Sequence, residues 1–222
     1  MILYDISMTI SEEMIVYKER AEKKPRLAVT RDFESGSIYE TRLELDSHTG
    51  THIDMPLHVF PDGAASDQWS AKNIFSRCAV LDFSTLRSDH ICAAALQQKE
   101  AGFGSDHELL RLGQSVILKT KSSLQDSFDF SFVYLEKSGA TYLADKGVRA
   151  VGIDALGIER DQPGRETHKI LLGAGIWIIE GLRLAAVPEG EYILALMPLK
   201  IKGVEALPAR AVLLDPASIP LP

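Results

Sequence analysis

The rhythm of hydrophobic and polar positions changes along this chain. Residues 2–6, Ile-Leu-Tyr-Asp-Ile, form a short apolar run that predicts a strand. Residues 11–25 turn polar and charged and predict an arm or loop. Two further strands are expected over 27–33 and 38–46, joined around Glu34-Ser35-Gly36-Ser37 as a hairpin. The second alternates, with Leu43 and Leu45 on one face and Arg42, Glu44 and Asp46 on the other. Pro61-Asp62-Gly63 marks a turn. Beyond it the pattern reads as a buried strand over 78–83 and a helix from Ser88 or Asp89 through Glu100, stopped by Gly102. A strand over 115–120, a helix over 131–146 ending at Gly147, and a strand over 148–154 follow. Strands alternating with helices after a β-rich first half predict an α/β fold. No internal repeat, low-complexity tract or linker interrupts the pattern, so residues 1–222 read as one domain.

One stretch breaks these rhythms. Residues 48–58 read His-Thr-Gly-Thr-His-Ile-Asp-Met-Pro-Leu-His, placing three of the six histidines beside an aspartate. His48, His52, Asp54 and His58 all occupy even positions, so an extended chain shows them on one face. Gly50, Pro56 and the β-branched residues Thr49, Thr51 and Ile53 disfavour a helix. A straight strand would separate the Cα atoms of His48 and His52 by roughly 13 Å, too far to share an ion. The segment must bend, and Gly50 is the residue best suited to allow it. Imidazole and carboxylate are ligands common to zinc, manganese and iron. Any one of these histidines alone would read as a surface or core imidazole. Together they point to a metal.

Composition narrows the setting. With 24 basic against 31 acidic residues the net charge is −7, which argues against a general nucleic-acid binder. The cluster Lys18-Glu19-Arg20-Ala21-Glu22-Lys23-Lys24 mixes both signs and reads as a solvated face. No apolar run is long enough to span a bilayer, and the first residues lack the basic start of a signal peptide. Cys78 and Cys92 sit among apolar neighbours as reduced thiols. A cytoplasmic protein is the expectation. His90 and His107 have no partner ligand close in sequence and read as solvent-facing.

The second informative stretch is 168–180, read as a helix carrying His168, a glycine turn over 173–175 and a strand over 176–179 that ends in Glu180. Beside the first motif, that terminal carboxylate reads as a further metal ligand.

His48-x-Gly50-Thr51-His52-x-Asp54-x-Pro56-x-His58 resembles the signature of the cyclase-like metal-dependent hydrolases, a family that includes bacterial kynurenine formamidases (arylformamidases) and isatin hydrolases. The resemblance runs from Asp5-Ile6-Ser7 to the region of Leu171 to Gly181 and beyond. The family's later ligand segment, a histidine and a glutamate twelve positions apart, matches His168 and Glu180. The resemblance implies a swivelling β/β/α domain holding one or two divalent ions, zinc or manganese. The ligands would be His48, His52, Asp54, His168 and Glu180, with Asp54 bridging if two ions bind, and His58 would be the acid–base residue. It also implies a homodimer or higher oligomer whose N-terminal arms exchange near the active site, with 11–25 as such an arm. In the formamidases this region carries a Pro-Gly-Asp-like turn; here Tyr17-Lys18-Glu19-Arg20 stands in its place.

The expected chemistry follows from those ligands. A divalent ion lowers the pKa of bound water to about 7 and polarises a carbonyl oxygen. An imidazole with an ordinary pKa of about 6.5 suits His58 to protonate a leaving nitrogen. No Ser-His-Asp or Gly-x-Ser-x-Gly pattern competes for the role. By the family resemblance, hydrolysis of an aryl formamide such as N-formylkynurenine is the leading expectation. Cyclic amides or imides, as in isatin hydrolases, come second, and a non-catalytic metal-binding protein is the alternative of another class. Trp69, Tyr17 and Tyr4 are the candidate rings for stacking on a substrate.

Overall fold

Alternate side chains along the central strands serve two different cores, and this division organises the molecule. The structure is a computed structural model describing residues 1–102, 110, 112–160 and 162–218. In chain order its elements are β1 (Ile2–Asp5), β2 (Arg26–Arg31), β3 (Glu40–Glu44), β4 (His52–Asp54), β5 (Phe75–Asp82), β6 (His90–Ile91) and α1 (Ala93–Gly102). They continue with β7 (Ser115–Lys119), β8 (Tyr134–Leu135), α2 (Lys137–Asp145), β9 (Ala150–Ile153), α3 (Glu166–Gly173), β10 (Trp177–Glu180), β11 (Gly190–Pro198) and β12 (Ala206–Leu214). Cys78, Val80, Ile117 and Ile179 face one core, packed with Leu194, Leu207 and Leu213. Ala79, Leu81, Val116, Leu118 and Ile178 face the other, against Leu96 of α1, Leu143 of α2 and Leu171 of α3. Each large aliphatic side chain buried this way contributes roughly 1.5–3 kcal/mol.

The sheet runs β12-β11-β5-β7-β9-β10-β4, and β4 pairs back onto β12, so seven strands close on themselves while β1 extends the edge of β12. β5, β7, β9 and β10 are parallel, and the remaining pairings in this sheet are antiparallel. The α/β class expected from the alternation is present. Closure matters most at β4. Its three residues lie opposite β10 on one side (Ile178 opposite Asp54, Glu180 opposite His52) and β12 on the other (Ala206 opposite Asp54). A strand this short is fixed because both of its edges are paired.

Several expected elements shift. The helix expected from Ser88 or Asp89 starts at Ala93, because His90 and Ile91 pair in parallel with Tyr134 and Leu135. The same ladder delays the helix expected over 131–146 to Lys137, where the Glu136 side chain accepts a hydrogen bond from Ser138 N and caps it. His90 is partly exposed, as expected, and pairs with Asp89. His107 lies outside the described residues. Past Gly181 the sequence reading assigns no element, yet the two nine-residue strands β11 and β12 lie there and complete the closed sheet. The hairpin is present as β2 and β3, antiparallel, with every residue exposed.

Candidate metal centre

The bend expected at Gly50 exists: the residue has φ +63°, a conformation in which a β-carbon is strained. Thr51 then anchors the motif, its hydroxyl donating to Gly181 O (2.7 Å) and accepting from Met8 N (2.8 Å). Gly181, at φ +69°, packs so closely that a β-carbon there would lie 2.5 Å from Gly50 O. With the bend fixed, β4 aims His52 and Asp54 the same way, two residues apart on one strand face. The turn Pro56–His58 brings His58 back over them. Glu180 arrives at the end of β10 directly opposite His52, and His168 arrives from the first turns of α3.

These six side chains, which the sequence spreads over more than a hundred positions, meet around Asp54. One carboxylate oxygen of Asp54 lies 3.1 Å from His48 Nδ1 and 3.6 Å from His52 Nε2, while the other lies 3.5 Å from His168 Nε2. Glu180 spans the same gap, 3.4 Å from His52 Nε2 and 3.6 Å from His168 Nε2. The groups fall into two sets sharing Asp54: His48, His52 and Asp54 on one side, and Asp54, His58 and His168 on the other. Within each set the potential ligand atoms lie within 4.8 Å of one another. His58 therefore stands within reach of an ion, its ring 4.6 Å from that of His48 and 5.3 Å from that of His168.

The site fits a metal on its own terms. His52 Nε2 and both oxygens of Asp54 are buried and make no hydrogen bond of proper geometry. Buried polar atoms left this way are destabilising unless another partner is supplied. His52 Nδ1 lies 2.9 Å from Gly50 O; a carbonyl only accepts, so Nδ1 carries a hydrogen and Nε2 is the nitrogen turned to the centre. His168 is oriented alike: its Nδ1 is 2.6 Å from Glu159 Oε1, and Glu159 Oε2 accepts from Thr167 N (3.0 Å) and Gln162 Nε2 (2.9 Å). Such carboxylate–histidine contacts fix the tautomer and orientation of a metal-binding imidazole. Glu159 escaped the sequence reading, since a lone glutamate nine residues before a histidine carries no ligand spacing; the signal lies only in the fold. Glu205, 3.4 Å from His48 Nε2 and bonded by the Ser47 hydroxyl, likewise comes from the unassigned C-terminal region.

Electrostatics agree. Burial disfavours a charged His52, yet Glu180 and Asp54 overcome it and raise its pKa to about 9. His168 is raised in the same way, burial being outweighed by Asp54, Glu159 and Glu180. Burial opposes the charge of Glu180 too, but His168 and His52 hold its pKa down at about 2. Asp54 is also lowered against its burial. His58 goes the other way: burial, with His48 and His168 adding to it, outweighs Asp54 and keeps its imidazole neutral more readily than usual. Without an ion, protons on His52 and His168 balance the carboxylates; a divalent cation would take their place.

Of the candidate rings, only Tyr17 borders the cavity above this centre. Trp69 packs edge-on against Trp177 (5.2 Å), and Tyr4 against Tyr192 (6.0 Å), both around the core inside the closed sheet. Arg20 and Lys23, read as part of a solvated face, lie on the cavity wall.

The family model described as "Putative cyclase" matches residues 4–160. The chain belongs to the cyclase family. The kynurenine formamidase of Salinibacter ruber is 33% identical to it over 222 residues, covering 97% of this chain and 98% of that one. The kynurenine formamidase of Paracidovorax citrulli is 32% identical over 181 residues, 79% of each chain. A solved structure named "predicted metal-dependent hydrolase from Bacillus stearothermophilus" is 42% identical, with a TM-score of 0.81 over 95% of this chain and 96% of that one. An isatin hydrolase bound to the product analogue thioisatinate has a TM-score of 0.82 over 96% and 92% of the two chains at 20% identity, a likeness of fold.

Proposed function

We propose that this chain is a metal-dependent amide hydrolase whose substrate is an aryl formamide such as N-formylkynurenine, cleaved to release formate. The observation that carries the reading is the buried, unpartnered set of His52 Nε2 and the two Asp54 oxygens, flanked by Glu180 and His168 beneath an accessible cavity. The resemblance to kynurenine formamidases along nearly the whole chain supports the substrate. His48, His52, Asp54, His168 and Glu180 would hold one or two divalent ions, zinc or manganese, with Asp54 facing both sets. Bound there, the ion supplies Lewis acidity and lowers the pKa of water. Glu159 and Gly50 O orient the two imidazoles toward the ion. His58, half-buried and biased toward its neutral form, takes a proton from water and returns it to the departing aryl amine. A closed, purely structural metal site would need neither His58 nor a cavity, which favours the catalytic reading.

The exposed hairpin supports a homodimer or higher oligomer. Leu27 lies opposite Leu43 in register and Val29 opposite Thr41, so one face of β2–β3 is apolar and uncovered.

The test is to purify the protein without added metal, quantify bound metals, and assay N-formylkynurenine and isatin before and after chelation. Formate release that chelation abolishes and one metal restores is the expected result. Bound metal with only isatin turned over would move the substrate to cyclic amides. Absence of metal, with no activity restored by any, would sink the reading.

A further inference from the structure

Each imidazole at the centre has two ring nitrogens, and only one of them faces inward. At His52 and His168 the inward nitrogen is Nε2, 3.6 Å and 3.5 Å from an Asp54 oxygen. Their outer nitrogen, Nδ1, meets Gly50 O in the first and Glu159 in the second. His48 is turned the opposite way. Its Nδ1 lies 3.1 Å from Asp54 Oδ1, while its Nε2 faces Glu205 Oε1 at 3.4 Å. It is also the least buried of the three, its side chain 19% exposed against 2% for His52 and 3% for His168. Burial alone holds this ring less firmly than the other two, so the group at its outer nitrogen matters more.

Glu205 is tied into that position. Its carbonyl accepts from Met55 N (2.9 Å), one residue past Asp54, and the carbonyl of Val204 accepts from Ser66 N (3.0 Å). Ser66 is buried, and its hydroxyl donates to Ile201 O (2.7 Å) and accepts from Val204 N (3.1 Å). The carboxylate itself accepts from the Ser47 hydroxyl at 2.6 Å. Ser47 directly precedes His48, whose own N–H donates to Asp46 Oδ1 at 2.9 Å. The segment carrying His48 and the loop carrying Glu205 are therefore fastened together beside the outer edge of the ring. An ionised carboxylate only accepts, so a hydrogen on Nε2 satisfies Glu205 and leaves the lone pair of Nδ1 turned to the centre.

We infer that Glu205 is the positioning residue of His48, so that His48 holds the metal through Nδ1 while His52 and His168 hold it through Nε2. A carboxylate on the outer nitrogen fixes the tautomer of a metal-binding imidazole and raises its basicity. Each of the three imidazoles then has its own acceptor: a backbone carbonyl for His52, Glu159 for His168 and Glu205 for His48. The inference rests on the metal reading above.

The test uses the zinc-loaded protein labelled with nitrogen-15 in its six histidines. A long-range proton–nitrogen correlation spectrum tells a protonated ring nitrogen from a metal-bound one, and a His48→Asn variant identifies the His48 signals. The hydrogen should sit on Nε2 of His48 and on Nδ1 of His52 and His168. Glu205→Ala removes the acceptor, and zinc affinity measured by chelator competition should fall about 10–100-fold. Glu205→Gln keeps an acceptor oxygen and should recover part of that loss. In both variants the His168 signals and the metal-free melting temperature should stay close to native, which separates lost orientation from a loosened fold. Zinc bound to His48 through Nε2 overturns the inference, and so does native affinity in Glu205→Ala. Equal losses in the alanine and glutamine variants, with His168 shifted as well, overturn it too, since the fold and not the contact would be responsible. A native protein that takes up no zinc is a different failure: it sinks the metal reading, and this inference falls with it.

Discussion

At the scale of single residues, the decisive question is what His58 does, because it stands within ligand range of Asp54 and His168 as well as over the reacting space. If its role is proton transfer, His58→Ala should lower kcat by about 10²–10⁴-fold while the metal content stays at the native value. Metal analysis of the same preparation decides the matter: a parallel loss of metal and activity would make His58 a ligand. Glu159 gives the complementary case. It borders the cavity and holds His168 Nδ1 at 2.6 Å, which leaves Nε2 turned toward Asp54. Glu159→Gln keeps the shape and removes the charge, and metal affinity measured by chelator competition should fall roughly 10–100-fold. An unchanged affinity would show that Thr167 and the helix alone orient the ring.

At the scale of elements, much of the centre was legible because its spacing obeys local geometry. His52 and Asp54 are two apart on a real strand, and Gly50 bends the chain with the positive φ that its lack of a β-carbon permits. The boundaries of α1 and α2 were not legible, because the β6–β8 ladder that delays both is a pairing of residues more than forty positions apart. β11 and β12 were missed for the opposite reason. Their near-continuous apolar runs lack the alternation of a half-exposed strand, since both faces are largely buried. Arg20 is exposed, as the mixed-charge cluster predicts, and it also borders the cavity, a placement that mixed charge in sequence does not reveal. The close approach of two elements yields a sharp prediction. Gly181→Ala places a methyl group 2.5 Å from Gly50 O at φ +69°, so the motif's bend and β10 must separate. A destabilisation of about 2–4 kcal/mol is expected, with weakened metal binding, both read by denaturant titration and metal analysis. Full stability and metal content in that variant would show that the contact between bend and strand end is soft.

At the scale of the whole molecule, two properties follow. The apolar face of β2–β3, with Val29 50% and Leu43 60% exposed, is the surface a second copy would cover. Light scattering on the native protein should give a dimer or larger, and Leu27→Lys/Leu43→Lys should shift it toward monomer; a native monomer would remove the oligomer from the reading. The second property concerns the metal-free protein, whose stability depends on the protons at its centre. The folded pKa of His52 stands at about 9 against an ordinary 6.5, so the stabilisation by its charged form is complete below 6.5 and is lost as pH rises through about 9. His168 is raised in the same sense. Glu180 is depressed from 4.5 to about 2, so its contribution is complete above 4.5 and is lost as pH falls through about 2. Between about 4.5 and 6.5 both contributions coexist, and the melting temperature of chelator-treated protein should be highest there and decline from 6.5 toward 9. A divalent ion displaces the protons of His52 and His168, so its affinity should rise with pH over that same interval and reverse the decline. Thermal melts across pH 5–9.5, with and without zinc or manganese, test both halves at once. A metal-free melting temperature that stays level from 6.5 to 9 would show that His52 and His168 are neutral in the empty site, and that the carboxylates are balanced by other means.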